Sequence, residues 1–230
     1  MISLSSQSGP CFSEAFENQF ELLLKWRRDV RHFLPDPVSQ EDLDHILTVA
    51  DMAPSVGNSQ PWRFVVVETQ EARHAVYQSF KTANNAALSG YRGEKAKTYA
   101  SLKLSGIEVA PVQLAVFCEQ DPEQGAGLGR QTMPETLNYS VVSAIYNLWL
   151  AARIRGIGVG WVSILDPESV SATLGAPNSW QLVAYLCIGY PIQETDVPEL
   201  ETKGWQERTA RESRIYSDRE LRGADKVKKG

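Results

Sequence analysis

Cysteine is scarce in these 230 residues. There are three, Cys11, Cys118 and Cys187, an odd number, far apart and without a CxxC pair. That pattern excludes a disulfide framework and a thiolate zinc site, and suits a reducing compartment. Histidine is equally rare: His32, His45 and His74 share no i, i+4 spacing and no HExxH, so no metal centre is expected. GxSxG is absent, which removes the hydrolase elbow. Positive charge is in deficit, with 23 Lys and Arg against 28 Asp and Glu and a net charge of −5, which argues against a nucleic-acid-binding face. No apolar run approaches the ~20 residues that span a bilayer. Met1 to Pro10 is polar and Ser-rich, without the cationic start and apolar run of a secretion signal. The expectation is a cytoplasmic protein with neither membrane nor nucleic acid as partner.

What is present is ordinary for a globular domain: 43% hydrophobic and 22% charged residues, enough to bury a sizeable core. Ser13 caps a helix over 13–27, with Phe16, Phe20, Leu23 and Leu24 at helical spacing. Ser39 caps a second helix, with Asp42 as capping-box partner, and Pro54 ends it. Arg63 to Glu68 reads as a strand buried on both faces. A helical pattern over 71–82 precedes a polar helical stretch, 84–105. Pro111 opens a strand to Cys118, a loop covers 120–130, and a helix covers 134–154, apolar nearly all round. A strand follows Gly156, a short helix starts at Asp166-Pro167, and Leu182 to Tyr190 is another buried strand. Strands alternating with helices predict one layered α+β or α/β domain, and the apolar helix suggests a dimer.

Gly156-Ile-Gly-Val-Gly160 resembles a dinucleotide fingerprint in the wrong context. It follows a helix and precedes a strand, the reverse of a Rossmann turn, so it reads as a helix C-cap and turn. Trp26-Arg27-Arg28-Asp29-Val30-Arg31-His32-Phe33 packs three arginines into five residues. Arginine suits phosphate because its planar fork donates two parallel hydrogen bonds, although cations also suit a helix C-terminus. Asp29 reads either as a salt-bridge partner of its neighbours or as a carboxylate placed to accept or relay a proton. Between Met52 and Phe64, Ser55, Gly57, Asn58, Ser59 and Gln60 place hydroxyls and amides on a tight loop, suited to the edge of a heterocycle.

Arg27-Arg28-Asp29-Val30-Arg31, Ala53-Pro54-Ser55-Val56-Gly57-Asn58-Ser59-Gln60-Pro61-Trp62 and Gly156-Ile157-Gly158-Val159-Gly160-Trp161 together resemble the flavin-dependent nitroreductase superfamily, over roughly 13–216. Ordinary nitroreductases and iodotyrosine deiodinases usually carry Ser where this chain has Asp29. Within the superfamily the pattern is similar to the 5,6-dimethylbenzimidazole synthases.

The resemblance implies a three-layer sandwich, a mainly antiparallel sheet flanked by helices, in an intertwined homodimer with FMN at the interface. The domain would span 13–216, between an N-terminal tail (1–12) and a C-terminal arm (217–230), with 84–105 as a lid against bulk water. It implies that reduced FMN is a substrate, fragmented with O2 to 5,6-dimethylbenzimidazole, the lower ligand of vitamin B12, and erythrose 4-phosphate. A separate NAD(P)H-dependent flavin reductase would supply the reduced flavin. Arg27, Arg28, Arg31 and the later Arg208 would hold the phosphate and ribityl end. Val30, Ser55, Gly57 and Asn58 would meet the flavin, and Gly158 and Gly160 would let backbone approach its ring. Asp29 and Ser163 match the two catalytic positions, Asp29 moving protons and Ser163 hydrogen-bonding near the reacting centre. The alternatives are an NAD(P)H-dependent FMN nitroreductase or flavin reductase, and a non-enzymatic FMN carrier.

Overall fold

The computed structural model of the chain describes residues 9–102 and 106–221. Parts of the expected tail (1–8), lid (103–105) and arm (222–230) lie outside the described residues. The helices are α1 (Glu14–Trp26), α2 (Gln40–Asp51), α3 (Gln70–Ser89), α4 (Gly93–Ser101), α5 (Gly106–Val109), α6 (Thr136–Ile154), α7 (Pro167–Thr173) and α8 (Glu199–Thr202). The strands are β1 (Trp62–Val66), β2 (Val112–Glu119), β3 (Gly158–Val162) and β4 (Trp180–Gly189).

Local signals set the ends of these elements. The Ser13 hydroxyl accepts from the Phe16 amide at 3.2 Å and starts α1. Ser39 accepts from the Asp42 amide at 3.0 Å while its own hydroxyl donates to the Asp42 carboxylate at 2.7 Å, starting α2. Asp166 caps α7, with Pro167 inside its first turn. Gly156, at φ +71°, ends α6 in a left-handed turn and feeds β3, as the glycine spacing predicts.

The sheet has the order β1-β2-β4-β3, and every pairing is antiparallel. Alternation along the strands divides the core. Leu114, Val116, Leu186 and Ile188 face α2 and α6, whereas Ala115, Phe117, Tyr185 and Cys187 face α3 and α7. The result is an α+β sandwich of three layers. No helix among the described residues is long and apolar enough to cross a membrane.

β1 is an edge strand that pairs with β2 alone, and both its faces are covered in part: Phe64 and Val66 pack into the cluster of α2 and α6, and Val65 into that of α3 and α7. One expected boundary moves. The helix expected over 71–82 continues to Ser89, and the polar stretch beyond it holds a separate helix, α4. The aromatic face of α1 is open: no residue of that helix is buried, and Phe16 and Phe20 are 50% and 43% exposed.

Candidate active site

The chain leaves α1 at Arg27 and runs in extended form along the free edge of β3. Asp29 bridges Val159 in parallel register, and the Val30 amide donates to the Val159 carbonyl at 3.0 Å. Further on, the Leu34 amide donates to the Tyr190 carbonyl at 2.8 Å, and buried Phe33 anchors the segment. The arginine motif is thus a short extra strand stitched to the sheet, and its side chains are fixed by that register.

Gly158 and Gly160 make this docking possible. A Cβ at Gly158 would lie 2.7 Å from a Val30 methyl carbon, and one at Gly160 would lie 2.0 Å from the Val30 carbonyl oxygen. The room these glycines leave is therefore filled by Val30. Gly160 still lines one of the clefts described below. Replacing Gly160 with alanine should push the motif off β3 and cost at least the ~1–3 kcal/mol typical of overpacking. Gly156→Ala, with φ +71° but nothing within 4 Å, should cost only the left-handed penalty of about 1 kcal/mol. Thermal melts of the two variants, with Gly160→Ala the lower, check this.

α6 supports the motif from below. The Trp149 indole N–H donates to the Arg28 carbonyl at 3.1 Å. The Arg27 guanidinium lies 4.8 Å from the Trp149 ring centre and 5.8 Å from that of Tyr146. The polar segment after β4 crosses above. The Arg28 guanidinium donates to the Asp196 carbonyl at 2.5 Å, Lys25 pairs with the Asp196 carboxylate at 2.8 Å, and Glu199 lies 4.0 Å from Arg31 and 3.6 Å from His32. Sequence reasoning did not single out Trp149, Tyr146, Asp196 or Glu199. The segment after Glu194 is rich in acidic residues, but their cationic partners lie far off in sequence.

Of the clefts that open beside the motif, two bring sequence-predicted residues of other segments to it. One, of about 580 Å³, is lined by Arg27, Arg28, Arg208, Tyr146, Asp196 and Glu201 among others, and so brings the late arginine to the early pair. Burial and the charges of Arg27 and Arg208 pull the Arg28 guanidinium below its usual range, against the opposing Asp196 and Glu201. Arg27 Nε, Arg28 Nε and Arg31 Nη1 are buried with no hydrogen-bond partner. Buried donors left open in one short segment fit an anionic ligand that can accept from them.

The other cleft, of about 110 Å³, holds Asp29, Arg31, Gly160, Ser163 and Cys187. The Asp29 carboxylate accepts from the Trp161 amide at 2.9 Å and from Arg31 Nε at 3.1 Å. Burial pushes its pKa above the usual carboxylate range, and the Trp161 amide, Arg31 and Arg27 reverse this only in part. The side chain still presents 36% of its surface, so it is the floor of a narrow cleft rather than a sealed core group. Behind it the buried Cys187 thiol is pushed up to about 12, first by burial and then by the Asp29 charge, and stays protonated. Asp29 is therefore a salt-bridge partner of Arg31 and at the same time a carboxylate whose pKa is raised by burial. Ser163 is exposed just beyond β3, on the wall of the same cleft.

Ser55, Gly57 and Asn58 are elsewhere. They sit on the turn before β1, at the opposite edge of the sheet from β3, three strand spacings or roughly 14 Å away. None of the three clefts beside the arginine motif is lined by them. The turn is built tightly: Gly57, Asn58 and Gln60 all have positive φ, the Ser55 hydroxyl accepts from the Gln60 amide at 3.0 Å, and Gln124 donates to the Asn58 carbonyl at 2.7 Å. Among the described residues no group of three or more His, Cys, Asp or Glu could hold a metal ion.

Comparison with known proteins places this geometry. The Nitroreductase family model matches residues 24–190. A 5,6-dimethylbenzimidazole synthase of Rhodospirillum rubrum is 54% identical over 202 residues, 88% of this chain and 96% of that protein. A protein of the same name from Rhodobacter capsulatus is 50% identical over 85% of this chain and 95% of its own. Among solved structures, an oxidised iodotyrosine deiodinase bound to FMN and 3-iodo-L-tyrosine superposes with a TM-score of 0.67 at 25% identity, over 86% of this chain and 97% of that one. The match to the family model and to relatives at this identity, together with the three-layer antiparallel fold, shows that this chain belongs to the nitroreductase family.

Proposed function

We propose that this oxidoreductase binds reduced FMN and fragments it with O2 to 5,6-dimethylbenzimidazole and erythrose 4-phosphate, supplying the lower ligand of vitamin B12. The observation that carries the reading is Asp29: a carboxylate with a raised pKa on the floor of a cleft, beside Ser163, in a chain whose relatives at about 50% identity are named 5,6-dimethylbenzimidazole synthase. The flavin itself supplies the electrons for O2 and the carbon skeleton of the product. The chain supplies position and proton control. Arg27, Arg28 and Arg208 hold the phosphate, where buried guanidinium nitrogens stand open. Asp29 accepts and returns protons at its carboxylate oxygens, oriented by the Trp161 amide and Arg31. The Ser163 hydroxyl is placed to hydrogen-bond on the same side. A separate NAD(P)H-dependent flavin reductase supplies the reduced flavin.

The site is completed by a second copy of the chain. One chain puts the arginine motif and the Ser55–Asn58 turn at opposite edges of its sheet, and leaves Phe16 and Phe20 on α1 and Val142 and Tyr146 on α6 exposed. An apolar surface of that kind marks an association face. A homodimer that covers it brings the turn of one subunit to the arginine motif of its partner.

The test is product analysis. Purified protein in stoichiometric excess over photoreduced FMN is exposed to air and the mixture separated by chromatography with mass detection. Formation of 5,6-dimethylbenzimidazole with loss of FMN is the expected result. Intact, reoxidised FMN overturns the synthase reading, and NAD(P)H consumption then separates a reductase from a carrier. The phosphate assignment has its own test. Arg208 is exposed and makes no hydrogen bond among the described residues, so Arg208→Ala should fold normally. Loss of one charge-assisted contact, about 1.5–3 kcal/mol, should weaken FMN by roughly 10- to 100-fold and leave riboflavin unchanged in a fluorescence titration.

A further inference from the structure

Tyr185 on β4 and Gln113 on β2 form a buried polar pair inside an otherwise apolar layer. The Tyr185 hydroxyl donates to the Gln113 side-chain oxygen at 2.6 Å, and the Gln113 side-chain amide donates to the Ile107 carbonyl at 2.7 Å. Burial raises the Tyr185 pKa, so its hydroxyl remains a donor. Burying an amide and a phenol costs free energy unless each polar atom is matched, and an apolar pair of the same shape would fill the space as well. What the pair gains in return is a hold on α5.

Within α5 the Gly106 carbonyl accepts from the Ala110 amide at 2.9 Å. The next carbonyl, that of Ile107, would take its helical partner from residue 111, which is proline and has no N–H. Gln113 supplies the missing donor. A helix of four residues has too little hydrogen bonding of its own to keep its place. Yet Gly106 and Ile107 wall the Asp29 cleft, together with Gly160, Ser163 and Cys187. Gly106 is pressed onto the arginine segment: a Cβ there would lie 2.9 Å from a Phe33 ring carbon and 3.0 Å from the Arg31 carbonyl oxygen. Gln113 itself stands directly opposite Cys187 in the β2–β4 register.

We propose that Gln113, oriented by Tyr185, is a positioning residue that pins α5 as the wall of the Asp29 cleft and so keeps water from the reacting end of the flavin. The chemical consequence rests on the flavin reading above; the pinning of α5 does not. Water at that end favours the side reaction in which O2 takes two electrons and two protons from reduced FMN, leaving oxidised FMN and H2O2 in place of benzimidazole.

Thiol labelling of the flavin-free protein tests the pinning. Cys187 is buried behind Asp29, whereas Cys118 is buried on the other face of the sheet, against α2 and α6. Cys118 thus reports global opening and Cys187 opening at the cleft. Methyl methanethiosulfonate with mass detection of the peptides gives both rates. Gln113→Met keeps the side-chain size and removes both hydrogen bonds. It should speed labelling of Cys187 roughly tenfold relative to Cys118, the order expected when a buried carbonyl loses its donor. Tyr185→Phe leaves the bond to Ile107 in place and should speed it only about two- to threefold. Adding Tyr185→Phe to Gln113→Met removes the orphaned hydroxyl, so the melting temperature should recover in part while Cys187 stays fast. Given reduced FMN and air, the same variants should shift product from benzimidazole to H2O2 in proportion to that labelling. An unchanged Cys187 rate in Gln113→Met, or Cys187 and Cys118 rates that rise together, overturns the pinning. Faster Cys187 labelling with an unchanged ratio of benzimidazole to H2O2 overturns the exclusion of water. A wild type that makes no benzimidazole overturns the flavin reading, and the pinning is still decided by Cys187.

Discussion

Asp29→Asn is expected to lower benzimidazole formation by about 10²- to 10⁴-fold, the range for loss of a positioned proton-transfer group. Asparagine keeps the size of the side chain and can still accept from the Trp161 amide, so the cleft is retained while the base is lost. The pH dependence gives a second signature. Burial raises the Asp29 pKa, so the ionised form appears at higher pH than the ~3.9 of a free aspartate. The wild-type rate should fall on the acid side as that raised pKa is crossed, and the residual rate of the variant should lack this limb. The stability consequence has the opposite sense. A carboxyl that binds its proton more tightly folded than unfolded favours folding below its unfolded pKa, and that contribution is lost as pH rises through the folded value. At neutral pH the ionised Asp29 works against the fold, and asparagine removes that burden. Asp29→Asn should therefore lose activity without a lower melting temperature at neutral pH. Equal product yield from the two proteins would remove Asp29 from the chemistry.

The parts of this structure that were legible in the sequence are those fixed by neighbours in the chain. Ser13, Ser39 with Asp42, Asp166 with Pro167, and Gly156 each act within a few residues, and each marks an element end where it was expected. The density of Arg27, Arg28 and Arg31 was visible for the same reason. What was not legible depends on contacts remote in sequence. The Val-rich β1 has the composition of an interior strand but lies at the sheet edge, because its position is set by β2 and not by its own residues. That Val30 packs against Gly158 and Gly160 is visible only in the parallel docking of residues 29–30. The roles of Asp196 and Glu199 carry no local signal, since their cationic partners are more than 160 residues earlier. Tyr91, Lys95 and Trp205 carry no shared motif, and they meet because α4 and the turn after α8 converge in space.

Two inactive variants are expected to rescue one another. Asp29→Asn damages the half of the site on the β3 edge. Ser55→Ala combined with Asn58→Gly strips the polar groups from the half before β1, glycine being chosen because Asn58 has φ +55° and any other small residue would add backbone strain. Each homodimer carries its defect in both sites and should fall well below wild type. In a dimer of one subunit of each kind, a site drawn from both chains is doubly damaged on one side and intact on the other. Random exchange makes about half of the dimers mixed, so the mixture should recover about a quarter of wild-type activity. If the arginine motif and the Ser55–Asn58 turn of a single chain served the same flavin, every site would keep one defect, and mixing would give only the average of the two inactive preparations. The roughly 14 Å between β1 and β3 within one sheet favours the first outcome. The measurement is benzimidazole yield after coexpression of the two variants with different affinity tags and isolation of the doubly tagged dimer, in which about half of the wild-type activity is expected because one of its two sites is whole.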